Sequence, residues 1–243
     1  MGGRDVDVRE ARPGRDAALS LLGGFELRCD GDVVALPLSA QRLIAFLALQ
    51  ERSLLRGYVA GRLWPDVPES RSGASLRSAL WRLGRRGAAV VEAAGPSLRL
   101  APDVTVDAIE VRRHARTMIA HGPVGDASTW ESAALAGVLL PDWYEDWVVI
   151  EREQLRQLCL HGLERLAEHL LVDGHHAAAV DVALDAVRLE PLRESAHRLA
   201  ARIHLAEGNR GEALRWFVAY RDLVAAELGV EPSGAFRQLV GAG

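Results

Sequence analysis

The second half of this 243-residue chain contains two segments that resemble each other at a constant spacing. Corresponding residues lie 34 positions apart, which is the period of tetratricopeptide repeats, where each repeat is a pair of packed helices. The matched pairs are Leu166 with Ala200, Ala167 with Ala201, Leu171 with Leu205, Gly174 with Gly208, Ala179 with Ala213 and Val180 with Leu214. The spacing predicts stacked helix pairs that turn at the two glycines. Coincidence between alanine-rich helices is the alternative.

The first hundred residues have a different pattern, in which short strands alternate with short helices. Apolar residues alternate with polar ones before Asp30-Gly31, a dipeptide typical of hairpin turns. Apolar stripes then predict three helices, over residues 40–50 with Ser39 as N-cap, over residues 58–64 and over residues 72–86. Residues 65–71 form a loop, and residues 90–92 and 97–100 form a second hairpin. This order of elements is that of a winged helix-turn-helix.

Charge is distributed unevenly between the two halves. Residues 19–100 contain eleven Arg and seven acidic residues, whereas residues 101–243 contain fourteen Arg and twenty-two acidic residues. The uneven balance indicates two domains, of which the first has a polyanionic partner. All 29 basic residues are Arg, so catalysis that needs a Schiff-base or P-loop lysine is excluded.

The third predicted helix is the strongest candidate for a DNA-binding element. Five Arg and no acidic residue occur between positions 71 and 86. Ser78, Arg82 and Arg85 share one face, opposite a stripe of apolar residues, and such a face fits the major groove of DNA. Arg71, Arg77 and Arg86 lie more laterally and suit phosphate contacts. The alternative is a solvated basic face on a structural helix. Trp81 flanks the polar face, where it packs against protein or lies against the DNA backbone.

Several segments together resemble one family. LLGGFELRCDGDVVALP, QRLIAFLALQ, YVAGRLWPD and ASLRSALWRLGRR are similar to the OmpR-type winged helix of actinobacterial antibiotic regulatory proteins (SARPs). The segments from VTVDAIEV through PDWYEDWVVIEREQLRQLCLHGLERLAEHLL to EPLRESAHRLAARIHLAEGNRGEALRWFVAYRDLVAAELGVEPS resemble their bacterial transcriptional activation domain. The resemblance implies a sequence-specific activator of secondary metabolism. Such a protein binds tandem direct repeats in double-stranded DNA near promoters, as a homodimer on DNA, and recruits RNA polymerase holoenzyme.

The resemblance also implies roles for particular residues. The recognition-helix positions of the family fall on Ser75, Ser78, Ala79, Arg82 and Arg85. The wing falls on residues 90–100, with Gly95, Pro96 and Ser97 at its tip and Arg99 able to reach DNA. The polymerase-contacting loop falls on Pro65, Asp66, Val67, Pro68, Glu69 and Ser70, up to Arg71. Gly84 departs from the basic residue often found there in the family, and we expect the recognition helix to end or bend at this glycine, before Arg85 and Arg86.

The expected fold is mainly α with a small β component. We expect a disordered tail over residues 1–18, a winged helix DNA-binding domain over residues 19–102, and an all-α TPR-like activation domain over residues 103–240. Longer family members append an ATPase module, but no glycine-rich loop followed by Lys and Ser or Thr occurs in this sequence. We therefore expect no nucleotide hydrolysis.

Catalytic, metal and membrane sites are not indicated. The eight His residues have no metal-ligand spacing, because His197 and His204 would lie about 10 Å apart on one helix. No Gly-x-Ser-x-Gly motif occurs. No apolar run reaches the ~18 residues of a membrane span. We expect a non-enzymatic protein without cofactors that has no contact with membranes and is located in the cytoplasm, associated with the nucleoid.

Two other functions remain open at this point. One is a helical-repeat adaptor whose winged helix is degenerate and binds protein. The other is a small-molecule sensor whose helical domain holds a ligand. Three aromatic residues follow Pro141, namely Trp143, Tyr144 and Trp147. We expect them to pack in a core between the two domains and not to form a ligand cage.

Overall fold

Strand β1 (Ala17–Ser20) marks the point at which the described structure begins. The computed structural model describes residues 17–83, 90–123 and 137–241. These residues form two compact units: the first contains the chain up to Ser20 together with Phe25–Val106, and the second contains Leu21–Gly24 together with the chain from Asp107. The second unit thus begins four residues later than the expected boundary at residue 103. The reason is strand β7, Val104–Val106, which pairs with the sheet of the first unit.

The first sheet of the first unit has four strands in the order β3-β2-β1-β7. The predicted turn at Asp30 and Gly31 is confirmed, since both residues have positive φ angles of 52° and 83° between antiparallel strands. Ala17 and Ala18, expected in the disordered tail, instead pair with β2. Residues 1–16 lie outside the described residues. The strands are β1 (Ala17–Ser20), β2 (Glu26–Cys29), β3 (Asp32–Val33) and β7.

Three helices follow this sheet, at the predicted places but with different first residues. They are α1 (Leu38–Gln50), α2 (Arg56–Leu63) and α3 (Glu69–Arg82). Helix α1 begins one residue before Ser39, so the predicted cap is wrong, and Pro37 supplies the carbonyl that accepts the first helical hydrogen bonds. Helix α3 begins at Glu69 because the carbonyl of Pro68 accepts hydrogen bonds from the amides of Arg71 and Ser72.

The second sheet forms the wing and has the order β4-β6-β5. Strands β5 (Val91–Ala94) and β6 (Ser97–Leu100) form the predicted hairpin, with Gly95 at a positive φ of 56°. Strand β4 (Leu54–Leu55) was not expected from the sequence, and its buried Leu54 pairs with Leu98. The three helices and the wing together give the winged helix-turn-helix fold.

The second unit consists of helices within the described residues. They are α4 (Asp107–His121), α5 (Asp146–Val172), α6 (His176–Leu189), α7 (Glu194–Ala206), α8 (Arg210–Leu228) and α9 (Gly234–Val240). Its core is rich in Leu and Ala, including Leu163, Leu166, Ala179, Ala183 and Ala200, all 0% exposed. Within the described residues, no helix has both the length and the hydropathy that a bilayer span requires.

The predicted 34-residue repeat is reproduced by the hydrogen bonds at the two helix ends. The amide of Gly174 donates to the carbonyl of Leu171 (3.2 Å), as that of Gly208 donates to Leu205 (3.0 Å). Both glycines have φ +80°. A left-handed residue after the last turn reverses the chain and satisfies the terminal carbonyls. The unit is therefore an all-α, TPR-like domain, and the whole described chain is mainly α with a small β component.

Candidate nucleic-acid interface

Helix α3 has one buried and one exposed face, as the sequence predicts. The buried residues are Ser72, Leu76, Ala79 and Leu83, each at most 3% exposed. Arg71, Arg77, Ser78 and Arg82 are exposed, whereas Ser75 is half-buried. Ala79, a recognition position by family resemblance, is 0% exposed, so its expected contact with DNA is wrong. It packs in the core because it lies one turn after Leu76, on the same side of the helix.

The arginines of α3 are not neutralised by acidic residues in the part of the chain that the structure describes. Within the described residues, Arg71, Arg77 and Arg82 form no ion pair, and Glu69 at the first turn is the only acidic residue of the helix. Arg82 Nη1 donates to Ser39 Oγ at 3.4 Å, so its guanidinium lies towards the start of α1. Arg77 lies beside Gly73, with Nη1 3.7 Å from the position that a Cβ would take there. These contacts direct the side chains without removing their charge.

The remaining predicted positions of this helix cannot be compared. Gly84, Arg85 and Arg86 lie outside the described residues. Helix α3 itself ends at Arg82, with Leu83 as its C-cap, so the predicted extent of this helix to residue 86 is wrong.

The wing contains a contact that the sequence analysis missed. Arg99 is exposed, but its guanidinium forms an ion pair with Glu92, at 2.7 Å from Nε and 2.5 Å from Nη2 to Oε2. The two residues are paired in register on β5 and β6. A two-residue turn at Gly95 and Pro96 fixes this register, so the turn motif could have indicated the pair.

Arg56 is a second basic residue near the wing that sequence reasoning did not select. Its amide donates to the carbonyl of Pro96 (2.8 Å) and its Nε donates to that of Gly95 (3.3 Å). Arg56 is the first residue of α2, directly after the unexpected strand β4. Without that strand, nothing in the sequence places Arg56 at the tip of the wing.

The predicted polymerase-contacting loop is shorter than expected. Pro65, Asp66, Val67 and Pro68 form an exposed connection between α2 and α3. Glu69, Ser70 and Arg71 belong to the first turn of α3, which corrects the expected loop over residues 65–71. Arg42 Nη2 donates to the carbonyl of Leu63 at 2.8 Å and so fixes the end of α2 from which this loop leaves.

No group of three or more His, Cys, Asp or Glu within the described ranges has a geometry that could hold a metal ion. His197 is 4% exposed, its Nε2 lies 2.8 Å from the carbonyl oxygen of Pro191, and its ring lies against Trp216 and Tyr220. Burial lowers the pKa of His197 because the charged imidazolium would lose its solvation.

The aromatic trio of the second unit does not act as one group. Trp143 and Trp147 meet edge to face, with their ring centroids 6.3 Å apart. Tyr144 is 81% exposed and takes no part in that contact. The prediction of core packing therefore fails for Tyr144.

The comparisons with known proteins concern both halves of the chain. The family model of the bacterial transcriptional activator domain matches residues 106–242. The chain is similar to the regulatory protein AfsR of Streptomyces coelicolor, at 28% identity over 235 residues that cover 90% of this chain and 23% of AfsR. AfsR of Streptomyces griseus is 29% identical over 233 residues, which cover 89% of this chain and 23% of the relative. The chain thus spans about a quarter of the length of these curated relatives.

A solved structure has a similar fold. Mycobacterium tuberculosis EmbR, in complex with a low affinity phosphopeptide, matches with a TM-score of 0.69 at 20% identity. The match covers 93% of this chain and 64% of the EmbR chain. The arrangement of a winged helix followed by a helical domain is therefore shared with EmbR.

Proposed function

The chain belongs to the bacterial transcriptional activator domain family and is a SARP-type regulator, and from this we propose that it binds tandem direct repeats near promoters and recruits RNA polymerase. Control of secondary metabolism is part of the same proposal. The family is one of transcription regulators, not of enzymes, and we propose that this chain acts by binding alone, on the nucleoid in the cytoplasm and without a cofactor.

The observation that carries the proposal is the exposed cationic face of α3. Three arginines, Arg71, Arg77 and Arg82, project from a helix whose other face is fully buried. An α-helix fits the major groove, and unpaired guanidinium groups displace the counterions of DNA phosphates. In this account Ser78 and Arg82 contact base edges, while Arg71 and Arg77 contact phosphates. Ser75, at the half-buried edge, and Arg85 and Arg86, which lie outside the described residues, complete the proposed set.

The wing supplies a second contact in this account. Arg99 and Arg56 both lie on or beside the β5–β6 hairpin. Arginine side chains bind DNA phosphates and so position a protein on the duplex. We assign Arg99 to a contact with DNA. The ion pair with Glu92 reduces the affinity of Arg99 for phosphate.

Recruitment of polymerase is assigned to surfaces other than the cationic face. The exposed loop Pro65–Pro68 leads from α2 into the first turn of α3 and contains Asp66 as its acidic residue. The second half of the chain has eight more acidic than basic residues and is therefore repelled by DNA. We propose that it provides protein contacts, between two copies on DNA or with polymerase.

Footprinting with the full chain tests the proposal. A binding site is first selected from random duplexes, and DNase I protection is then mapped on it. The proposal predicts two protected half-sites in the same orientation, about 10–10.5 bp apart, and increased transcription by added polymerase holoenzyme. Protection of an inverted repeat would contradict the direct-repeat proposal, and absence of any selected site would contradict DNA recognition itself.

A further inference from the structure

Trp81 occupies an unusual position for a tryptophan. Its side chain is 83% exposed, whereas the other tryptophans of the described residues are buried or half-buried. Burial of a tryptophan usually contributes strongly to folding, and large exposed aromatic surface marks interaction sites. Trp81 belongs to α3, the helix that carries the cationic face. Its exposure on the cationic helix makes Trp81 a candidate contact for a partner outside the folded unit.

The helical geometry places Trp81 at the middle of the exposed face. At about 100° per residue, the four buried residues of α3 fall within an arc of about 60°. The direction opposite to that arc passes between Trp81 and Ala74, which lie seven residues apart and within about 10° of it. Ala74 is also exposed. The centre of the face is thus an apolar line formed by Ala74 and Trp81.

Polar and cationic side chains lie on both sides of this line. Arg77 and Ser78 each lie about 50° from it, on opposite sides. Arg77 is turned towards Gly73 and Arg82 is hydrogen-bonded to Ser39, so neither guanidinium is held against the indole ring by these contacts. The face presents an uncovered apolar centre between positive flanks. Duplex DNA has the complementary arrangement, because its grooves are lined by phosphates on both sides.

The major groove contains one apolar group that Ala74 and Trp81 could contact. Thymine presents its C5 methyl there, whereas the other base edges present hydrogen-bond donors and acceptors. We propose that Trp81, with Ala74, reads thymine through this methyl group and so determines part of the sequence specificity. This inference rests on the proposed binding of DNA by α3, and adds the base that the centre of the helix selects.

Replacing thymine by deoxyuridine tests the inference without altering the protein. Each thymine of the selected site is replaced singly, which removes only the methyl group, and the Kd of the full chain is measured at fixed salt. We expect at least one position at which the wild-type chain loses about fourfold in affinity, the value of one buried methyl group. We expect Trp81→Ala to bind the thymine and uracil duplexes equally at that position.

Tyr144→Ala is the matched control, because Tyr144 is 81% exposed and lies in the second unit. This variant should keep the full thymine preference.

Equal affinity of the wild-type chain for every uracil duplex would overturn the inference while leaving DNA binding by the chain intact. A thymine preference that persists in Trp81→Ala, combined with lost activation of transcription, would instead assign Trp81 to a protein partner and also overturn it. Absence of binding to any duplex would contradict the proposed function.

Discussion

Glu92 and Arg99 face each other across the two strands of the wing, and their ion pair neutralises a basic residue expected to contact DNA. Both side chains are about half exposed, at 44% and 51%. An exposed pair of this kind contributes only up to about 1 kcal/mol, so DNA phosphate can replace Glu92 as the partner of Arg99. In the proposed function, we therefore expect the wing to contact DNA more weakly than an unpaired Arg99 would allow.

Glu92→Gln should tighten DNA binding. The variant removes a carboxylate that competes with phosphate for Arg99, and we expect Kd to fall by up to about fivefold, the equivalent of about 1 kcal/mol. Fluorescence anisotropy with a labelled selected duplex measures the change. The double variant Glu92→Gln with Arg99→Ala serves as control and should lose the gain. An equal gain in the double variant would show that general repulsion by Glu92, not its pairing with Arg99, sets the effect.

Arg82→Ala should reduce affinity for the selected site by about 1–3 kcal/mol and relax the base preference at one position. Ser39→Ala is its matched control, since it removes the hydrogen bond that Arg82 makes at 3.4 Å but retains the charge. The control should bind nearly as the wild-type chain does. Binding to selected and scrambled duplexes is compared for all three proteins. Equal losses on both duplexes in Arg82→Ala would move Arg82 to the phosphate contacts.

The two acidic residues near the α2–α3 connection should behave differently. Asp66 lies in the loop, so Asp66→Asn should lower activated transcription while DNA binding survives. Glu69 lies in the first turn of α3, where a negative charge stabilises the helix by about 0.3–1 kcal/mol. Glu69→Gln should therefore lower thermal stability as well. Transcription assays, Kd values and melting curves on both variants separate the two cases, and a parallel loss of DNA binding in Asp66→Asn would reassign the loop to a structural role.

Glu164 should make the stability of the helical unit dependent on pH. Burial alone would raise the pKa of Glu164, but hydrogen bonds from Arg193 (2.8 and 2.9 Å) and from Ser195 outweigh it and lower that pKa. A carboxyl group whose pKa is lower in the folded state stabilises the fold above its unfolded pKa, about 4.3. This contribution is lost as the pH falls from that value through the lower folded pKa.

The variant Glu164→Gln should accordingly lower the free energy of unfolding by about 1–3 kcal/mol at pH 7. The difference from the wild-type chain should shrink as the pH drops below about 4.3. Glu168→Gln is the control: Glu168 is 40% exposed, and its loss should change stability by less than about 1 kcal/mol. Urea unfolding across the pH range measures both. A difference that stays constant down to the lowest pH would show that the carboxylate charge of Glu164 does not matter.

The sequence predicted those features that depend on neighbours along the chain. The buried stripe of α3, the Asp30-Gly31 turn and the 34-residue repeat all arise from local periodicity, and each is found in the structure. Strands β1, β4 and β7 were missed because two to four residues have no period of their own and are fixed by distant partners. The first residues of α1 and α3 differed because the carbonyls of Pro37 and Pro68 accept the first helical hydrogen bonds. For α1 the prediction relied on a side-chain cap at Ser39, and for α3 it extended the proline-containing loop to residue 71.

The residues of the candidate site that follow from local helical spacing were predicted, and those fixed by distant contacts were not. Exposure of Arg77, Ser78 and Arg82 follows from helical spacing, but the contact of Arg56 with the wing tip joins residues 39 positions apart. The sequence analysis missed the central position of Trp81 because it took Leu80 as part of the buried stripe, with Leu76, Ala79 and Leu83. In the structure Leu80 is half-buried and Ser72 is buried instead, which rotates the exposed centre towards Trp81.

The central claim, that the exposed face of α3 binds duplex DNA, is tested most directly by the salt dependence of binding. The Kd of the full chain for the selected site is measured over a range of salt concentrations for the wild type and for the triple variant Arg71→Ala, Arg77→Ala and Arg82→Ala. The matched control replaces three exposed arginines of the second unit, Arg188, Arg215 and Arg221, by Ala. We predict that the slope of log K against log salt becomes shallower by about 2–3 in the α3 variant and stays unchanged in the control. An unchanged slope in the α3 variant would contradict the account.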